Sequence, residues 1–232
     1  MKALRGRNLF GIIILFLIIG GCSDGNSIEG NYDKGIEFAA QGEFSKAKKE
    51  FEKILRSDQS NIAARESLKV IEDVNAKKTK SDAAIHFFKG VDHSNKGRVE
   101  ETSSELTKAI ELAPGLAHAY YERGLAYGRM GKYDASIADF SKAIEINPKD
   151  TAAYNNRGLA YAKGKVLYEQ AFADFNKAIE LNSQFAEAYD NRGIAYRIKF
   201  NDKAKACADW KRACELRRCD SYRLARKNGY CE

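Results

Sequence analysis

Small and apolar residues recur along most of the chain in steps of 34 or 35 residues. One series consists of glycines, each flanked by aromatic or histidine positions: Gly90, Gly124, Gly158 and Gly193. A second series runs in the same step: Leu106, Phe140, Phe175 and Trp210. Around each series the apolar residues are three or four positions apart, which is the spacing of one helix face. Each repeat is therefore predicted to be a pair of helices.

Polar turns divide the repeats, and Pro114 and Pro148, 34 residues apart, end two of them because proline cannot continue a helix. The segment 119–148 resembles the tetratricopeptide repeat (TPR) closely. The resemblance covers four units: 83–116, 117–150, 151–185 and 186–220. It implies an all-α solenoid of helix hairpins wound into a right-handed superhelix. One extra residue falls in the turn of the third unit and another between Gly193 and Trp210.

The flanking segments follow the repeat pattern less closely. Residues 28–61 fit it as a divergent TPR-like unit, whereas 62–82 has only a rough helical stripe and is predicted to be a helical connector, straight or bent. Terminal units of a repeat array need a polar cap. Residues 221–232 are predicted to be a C-terminal cap, with a short helix that packs through Tyr222, Leu224 and Ala225.

The N-terminus has the pattern of an export signal. Lys2, Arg5 and Arg7 precede an apolar run over 9–19, which is shorter than the roughly 20 residues that span a bilayer. The sequence IIGGC at 18–22 resembles the lipobox of bacterial lipoproteins. That resemblance implies a signal peptide over 1–21, a lipidated Cys22, a polar tether over 22–27 and a place in the bacterial cell envelope. Ser23 after the cysteine favours the outer membrane, facing the periplasm, over the inner membrane.

Two other interpretations of this segment are open. One is an uncleaved membrane anchor, and the other is an ordinary signal-peptidase site that happens to precede a cysteine.

The remaining four cysteines all lie in the last 26 residues, and an exported chain permits disulfides. Cys207 and Cys214 are too far apart along one helix to pair, with about 10.5 Å of rise between them. A cap that folds back along the last repeat helix favours Cys207 with Cys231 and Cys214 with Cys219. The crossing alternative, Cys207 with Cys219 and Cys214 with Cys231, is open. The spacing lacks the C-x-x-C pair of zinc sites, so we expect no metal.

Charge and motifs narrow the classes of function. The net charge of +7 falls to +4 without residues 1–21, since 36 basic residues then oppose 32 acidic ones, and 203–232 alone has nine basic and four acidic residues. Basicity confined to the cap, together with export, argues against a nucleic-acid partner. No catalytic triad, Walker loop or H-E-x-x-H motif is present. We therefore expect no cofactor and no small-molecule substrate.

The resemblance implies a concave groove, lined by the first helix of each repeat, that holds a peptide from a partner protein. The predicted groove residues have an apolar floor and a basic rim: Phe87, Tyr121, Arg129, Asn155, Lys163, Asp190 and Arg197. We expect a non-enzymatic, membrane-tethered TPR scaffold for cell-envelope assembly or secretion. The alternative is an enzyme, or an accessory factor of an enzyme, in envelope biogenesis.

Overall fold

A computed structural model describes residues 27–232, in which every regular element is helical, so the predicted all-α fold of helix hairpins is confirmed. The proposed signal peptide, Cys22 and most of the tether lie outside the described residues. The chain divides into two compact units, one ending at Arg129 and one beginning at Met130. Within 27–232, no helix has both the length and the apolar character needed to cross a membrane.

The described part of unit 1, from residue 27 onward, contains six helices: α1 (Ile28–Ala40), α2 (Phe44–Ser57), α3 (Ile62–Asn75), α4 (Ser81–Asn95), α5 (Val99–Leu112) and α6 (Ala117–Arg129). The hairpins are α1 with α2 and α4 with α5, and α6 packs on α5. The helix α4 also packs along α1, and α3 packs against α2 and α4.

Unit 2 contains α7 (Tyr133–Ile146), α8 (Thr151–Ala160), α9 (Tyr168–Leu181), α10 (Ala186–Ala195), α11 (Lys203–Glu215) and α12 (Asp220–Lys227). Here α8 pairs with α9, and α10 pairs with α11. The helix α10 packs on α9, and α12 packs on α11, so the hairpins lie in chain order.

Glycine lets the two helices of each hairpin approach closely, as the repeat pattern predicts. A Cβ atom added at Gly193 would lie 2.7 Å from Nε1 of Trp210, and one at Gly90 would lie 2.7 Å from Cγ of Leu106. The large side chain that fills the space over each glycine is almost fully buried. Because the interaxial distance depends on the side chains at the contact, glycine determines how tightly each hairpin closes.

The two extra residues of the repeat pattern are accommodated in π-helical turns. The first turn, π1 (Tyr161–Lys165), continues α8, and the second, π2 (Tyr196–Phe200), continues α10. Each turn ends in a residue with left-handed backbone, Val166 at φ 55° and Asn201 at φ 48°. A π turn adds a residue to a helix without breaking it.

The predicted connector forms a separate helix, α3, which does not continue into α4. Asn61 caps its start, since the Asn61 side chain accepts a hydrogen bond from the Ala64 backbone N–H. After α3 ends at Asn75, Lys77 adopts φ 57°, and this left-handed residue turns the chain toward α4. The connector is therefore bent.

The C-terminal cap folds back along α11 and is fastened to it. Cys207 pairs with Cys231, with 5.7 Å between their Cα atoms, and Cys214 pairs with Cys219. This is the favoured pairing rather than the crossing alternative. Within α12, Ala225 is buried as predicted, but the prediction for Leu224 is wrong, since that side chain is 60% exposed.

We expect Gly90→Ala to destabilise the protein by about 1–3 kcal/mol, because the added methyl group has no space beside Leu106. Urea unfolding measures the effect. The matched control is Gly115→Ala in the same repeat, where an added Cβ meets nothing within 4 Å. Equal stability of the two variants would show that the hairpin does not depend on this close approach.

Removing the longer disulfide with Cys207→Ser and Cys231→Ser together should lower the free energy of unfolding by about 3 kcal/mol, since it closes a loop of 24 residues. The double variant Cys214→Ser with Cys219→Ser, which opens a five-residue loop, should lose less, about 2 kcal/mol. Denaturant titration compares them. A larger loss from the shorter loop would contradict this description of the cap.

Candidate functional site

The predicted groove residues of unit 1 are mostly buried. Phe87 is 5% exposed and Tyr121 is 8% exposed, and Phe87 belongs to the same apolar core as residues of α3. The third predicted residue, Arg129, is half-buried, and its Nη1 atom donates a hydrogen bond to Oγ of Ser94 over 3.0 Å. The first helices of unit 1 thus present little apolar surface to a partner.

The helix α3 covers this face. The imidazole Nε2 of His118, on α6, is hydrogen-bonded to the Glu66 carboxylate on α3. On α1, Tyr32 lies within hydrogen-bonding reach of Ser67, and burial raises the pKa of the Tyr32 hydroxyl to about 12. A segment of this chain that departs from the repeat pattern therefore occupies space that the pattern assigned to an external peptide.

Two carboxyl groups near this contact have opposite pKa shifts. The hydrogen bond from His118 lowers the pKa of Glu66, although partial burial opposes it. Burial raises the pKa of Glu122, on α6, against the opposing charges of Arg129 and His118. The hydrogen bond between α3 and α6 thus favours the ionised form of Glu66, whereas burial disfavours the ionised form of Glu122.

In unit 2 the corresponding face is polar. Asn155 on α8 is 4% exposed, and its Oδ1 atom accepts a hydrogen bond from Nδ2 of Asn191 on α10 over 2.9 Å. One helical turn further, Leu159 on α8 and Ile194 on α10 are half-buried. The two first helices of this unit are therefore joined by an amide pair beside apolar side chains.

Asp190 is the most unusual group on this face. Its side chain is 10% exposed, and Nε of Arg218 donates a hydrogen bond to Oδ2 over 3.0 Å. The Oδ1 atom is buried and has no hydrogen-bond partner among the described residues. Arg218 lies inside the short loop closed by Cys214 and Cys219, so the turn between α11 and α12 holds one side of this carboxylate, while the other side has no hydrogen-bond partner within residues 27–232.

The predicted basic rim of unit 2 lies in the π turns. Lys163 in π1 and Arg197 in π2 are both exposed, although partial burial lowers the pKa of Lys163. The Arg197 guanidinium lies 5.9 Å from the Trp210 ring centroid, which is within cation–π distance. Both cations stand at the ends of the first helices, as the repeat pattern predicted.

An ion pair that recurs in two hairpins was not predicted from the sequence. Arg157 on α8 donates two hydrogen bonds to Asp174 on α9, at 2.8 and 2.7 Å, and Arg192 pairs with Asp209 in the same way in the next hairpin. The hydrogen bonds that these arginines donate to the aspartates raise the pKa of both arginines. The signal was in the sequence, since both residue types recur at the repeat spacing, but the pairing requires the hairpin geometry.

Comparison with known proteins agrees with this architecture. Residues 117–150 and 151–185 each match a tetratricopeptide-repeat family profile. Among solved structures, the chain is similar to YrrB, described as a TPR protein with an unusual peptide-binding site, with a TM-score of 0.57 and 18% identity over 88% of this chain and 94% of that one. It is also similar to MamA, with a TM-score of 0.55 and 23% identity over 79% of this chain and 94% of that one.

No curated protein sequence matches the chain. The two profile matches show tetratricopeptide repeats over residues 117–185, and the structural similarities agree with the all-α fold. Because the sequence identities are below 25%, these structural similarities support the fold only.

We expect acid to weaken the contact between α3 and α6. Because the pKa of Glu66 is lowered in the folded chain, its contribution is present above the ordinary carboxyl pKa of about 4.3 and is lost as the pH falls through the lowered value. Glu66→Gln should cost up to about 1 kcal/mol at pH 7 and less at pH 3, measured by urea unfolding.

The control for this experiment is Glu180→Gln, which removes an exposed pair with Lys177 in unit 2. A Glu66→Gln variant whose stability changes with pH as steeply as that of the wild type would contradict the assignment.

Proposed function

We propose that this protein is a non-enzymatic, membrane-anchored TPR scaffold that binds a peptide segment of a partner protein on the first-helix face of unit 2. The binding face consists of Asn155, Leu159, Asp190 and Ile194, with Lys163 and Arg197 at its ends. Cys22 is the lipidated residue, and the partner acts in cell-envelope assembly or secretion.

The observation that carries the proposal is the buried Oδ1 atom of Asp190, which has no hydrogen-bond partner in the described part of the chain. Buried polar atoms in folded proteins nearly always have a hydrogen-bond partner, and leaving one unpaired costs about 1–3 kcal/mol. A backbone N–H or a side-chain donor of a bound peptide would satisfy this atom. Arg218 already balances the charge of the carboxylate, so a neutral donor is sufficient.

The surroundings of Asp190 suit a peptide. The amide pair of Asn155 and Asn191 offers further donor and acceptor atoms, and the half-buried Leu159 and Ile194 offer apolar contact beside it. Ligand sites commonly combine a few convergent polar groups with an apolar lining. In unit 1 the comparable face is covered by α3, which is why the proposal places the partner on unit 2.

The comparisons support the general class of function. Arrays of helix pairs create extended concave binding surfaces. YrrB, which shares this fold, is described as having a peptide-binding site. The membrane anchor is supported by the lipobox-like sequence that ends at Cys22.

The proposal is tested by crosslinking in membranes of the host cell, followed by purification of the chain and quantification of the co-purified protein. Asp190→Ala should reduce recovery of the partner by roughly tenfold or more, the effect of losing one hydrogen bond to a charged group. Cys22→Ser should transfer the chain from the membrane to the soluble fraction.

Glu180→Ala is the matched control, since it removes an exposed carboxylate from the same unit. Asp190→Asn keeps the size of the side chain and separates a loss of binding from a loss of folding, which circular dichroism monitors. Undiminished recovery with both Asp190 variants, or no protein recovered in stoichiometric amount, would overturn the proposal.

A further inference from the structure

Exposed apolar side chains are concentrated at one edge of unit 2. Among the described residues, six large apolar side chains are exposed, and four of them belong to the π turns or directly follow one. They are Val166 (63% exposed), Leu167 (38%), Ile198 (58%) and Phe200 (54%). We call residues 161–167 and 196–200 the π-turn edge.

The two turns form one continuous surface. The ring of Phe200, in π2, stacks on Phe172 of the preceding hairpin with 5.6 Å between centroids. The Nζ atom of Lys199 lies 5.8 Å from the ring centroid of Tyr168, the first residue after Leu167. The second turn therefore lies against the start of α9, directly after the end of the first turn, and the four exposed apolar side chains share an edge.

Val166 is held there at an energetic cost. A β-branched residue in the left-handed region, at φ 55°, is strained, whereas Asn201 at the equivalent place in π2 belongs to a residue type that tolerates this conformation. The Val166 side chain is mostly exposed and so gains little from packing. Strain of this kind occurs at functional sites, where the residue is retained for a role other than stability.

Cations alternate with these apolar residues along the chain. The turn π1 carries Lys163 and Lys165, and π2 carries Arg197 and Lys199, all of them exposed. Lys165 donates a hydrogen bond to the carboxylate of Asp134 over 2.7 Å. The edge as a whole is therefore apolar and basic.

We propose that the π-turn edge contacts the anionic headgroups of a membrane. Basic side chains attract anionic lipid, while adjacent apolar side chains enter the boundary between headgroups and acyl chains. A helical or extended peptide docks in a groove or on a strand edge, whereas these side chains project from the tips of turns, so the arrangement favours a lipid surface. The proposal goes beyond the peptide-binding function and does not depend on Asp190.

The test is hydrogen exchange of the full chain reconstituted into lipid nanodiscs. One set of discs contains neutral phosphatidylcholine, and in the other about a third of the lipid is anionic phosphatidylglycerol. Exchange over 161–167 and 196–202 should be at least about fivefold slower in the anionic discs. The membrane anchor alone would bind the chain to both kinds of disc. Only the difference in exchange rate between neutral and anionic discs therefore measures the contact made by the π-turn edge.

Three variants make the test specific. Replacing Arg197 and Lys199 by Gln should reduce the difference strongly, by about fivefold for each cation removed. Val166→Asn should weaken protection while maintaining or raising the melting temperature, because it relieves the strained backbone. Ile62→Ser, which removes a side chain 66% exposed on unit 1, is the control and should change nothing.

Equal exchange in neutral and anionic discs would overturn the proposal. It would also be overturned if an acidic, leucine-containing peptide added to neutral discs protected the edge while anionic lipid did not, since the edge would then be a protein-binding surface. Protection that survives both the Gln and the Asn substitutions would contradict the assignment of the edge residues.

Discussion

The contact between a glycine and a large side chain across each hairpin is the constraint on which the described fold depends. In unit 1, Phe51 lies over Gly35 and Leu106 over Gly90, while in unit 2 Trp210 lies over Gly193. Removing the Cβ atom on one helix admits a bulky group from the other, and the resulting close approach buries that group almost completely. The remaining faces of the first helices are then left for other contacts.

Those faces are used differently in the two units. In unit 1 the helix α3 supplies Glu66 to His118 and covers apolar side chains such as Phe87. In unit 2 the same repeat positions carry Asn155 and Asp190, which join neighbouring elements by hydrogen bonds. The buried Oδ1 atom of Asp190 has no hydrogen-bond partner among the described residues. The turn closed by Cys214 and Cys219 contributes directly, because it carries Arg218 beside Asp190. The first-helix face is thus covered by α3 in unit 1, whereas in unit 2 it is polar and has a buried acceptor atom that a partner could pair.

The periodic part of this architecture was predictable because it follows from local spacing. The series of glycine and large apolar residues predicted the hairpins. The predicted back-folding of the cap favoured the pairing of Cys207 with Cys231. The position of α3 was not predictable, since it depends on distant contacts such as that of Glu66 with His118. Burial of Phe87 and Tyr121 follows from packing between elements, which a pattern within one helix does not show.

We propose that a partner peptide binds the first-helix face of unit 2 and not that of unit 1. Hydrogen exchange of the chain with and without its purified partner distinguishes the two faces. We expect slower exchange in α8 and α10, strongest near Asp190, with α4 and α6 unchanged. Protection confined to α4 and α6, with α8 and α10 exchanging as in the free chain, would contradict it.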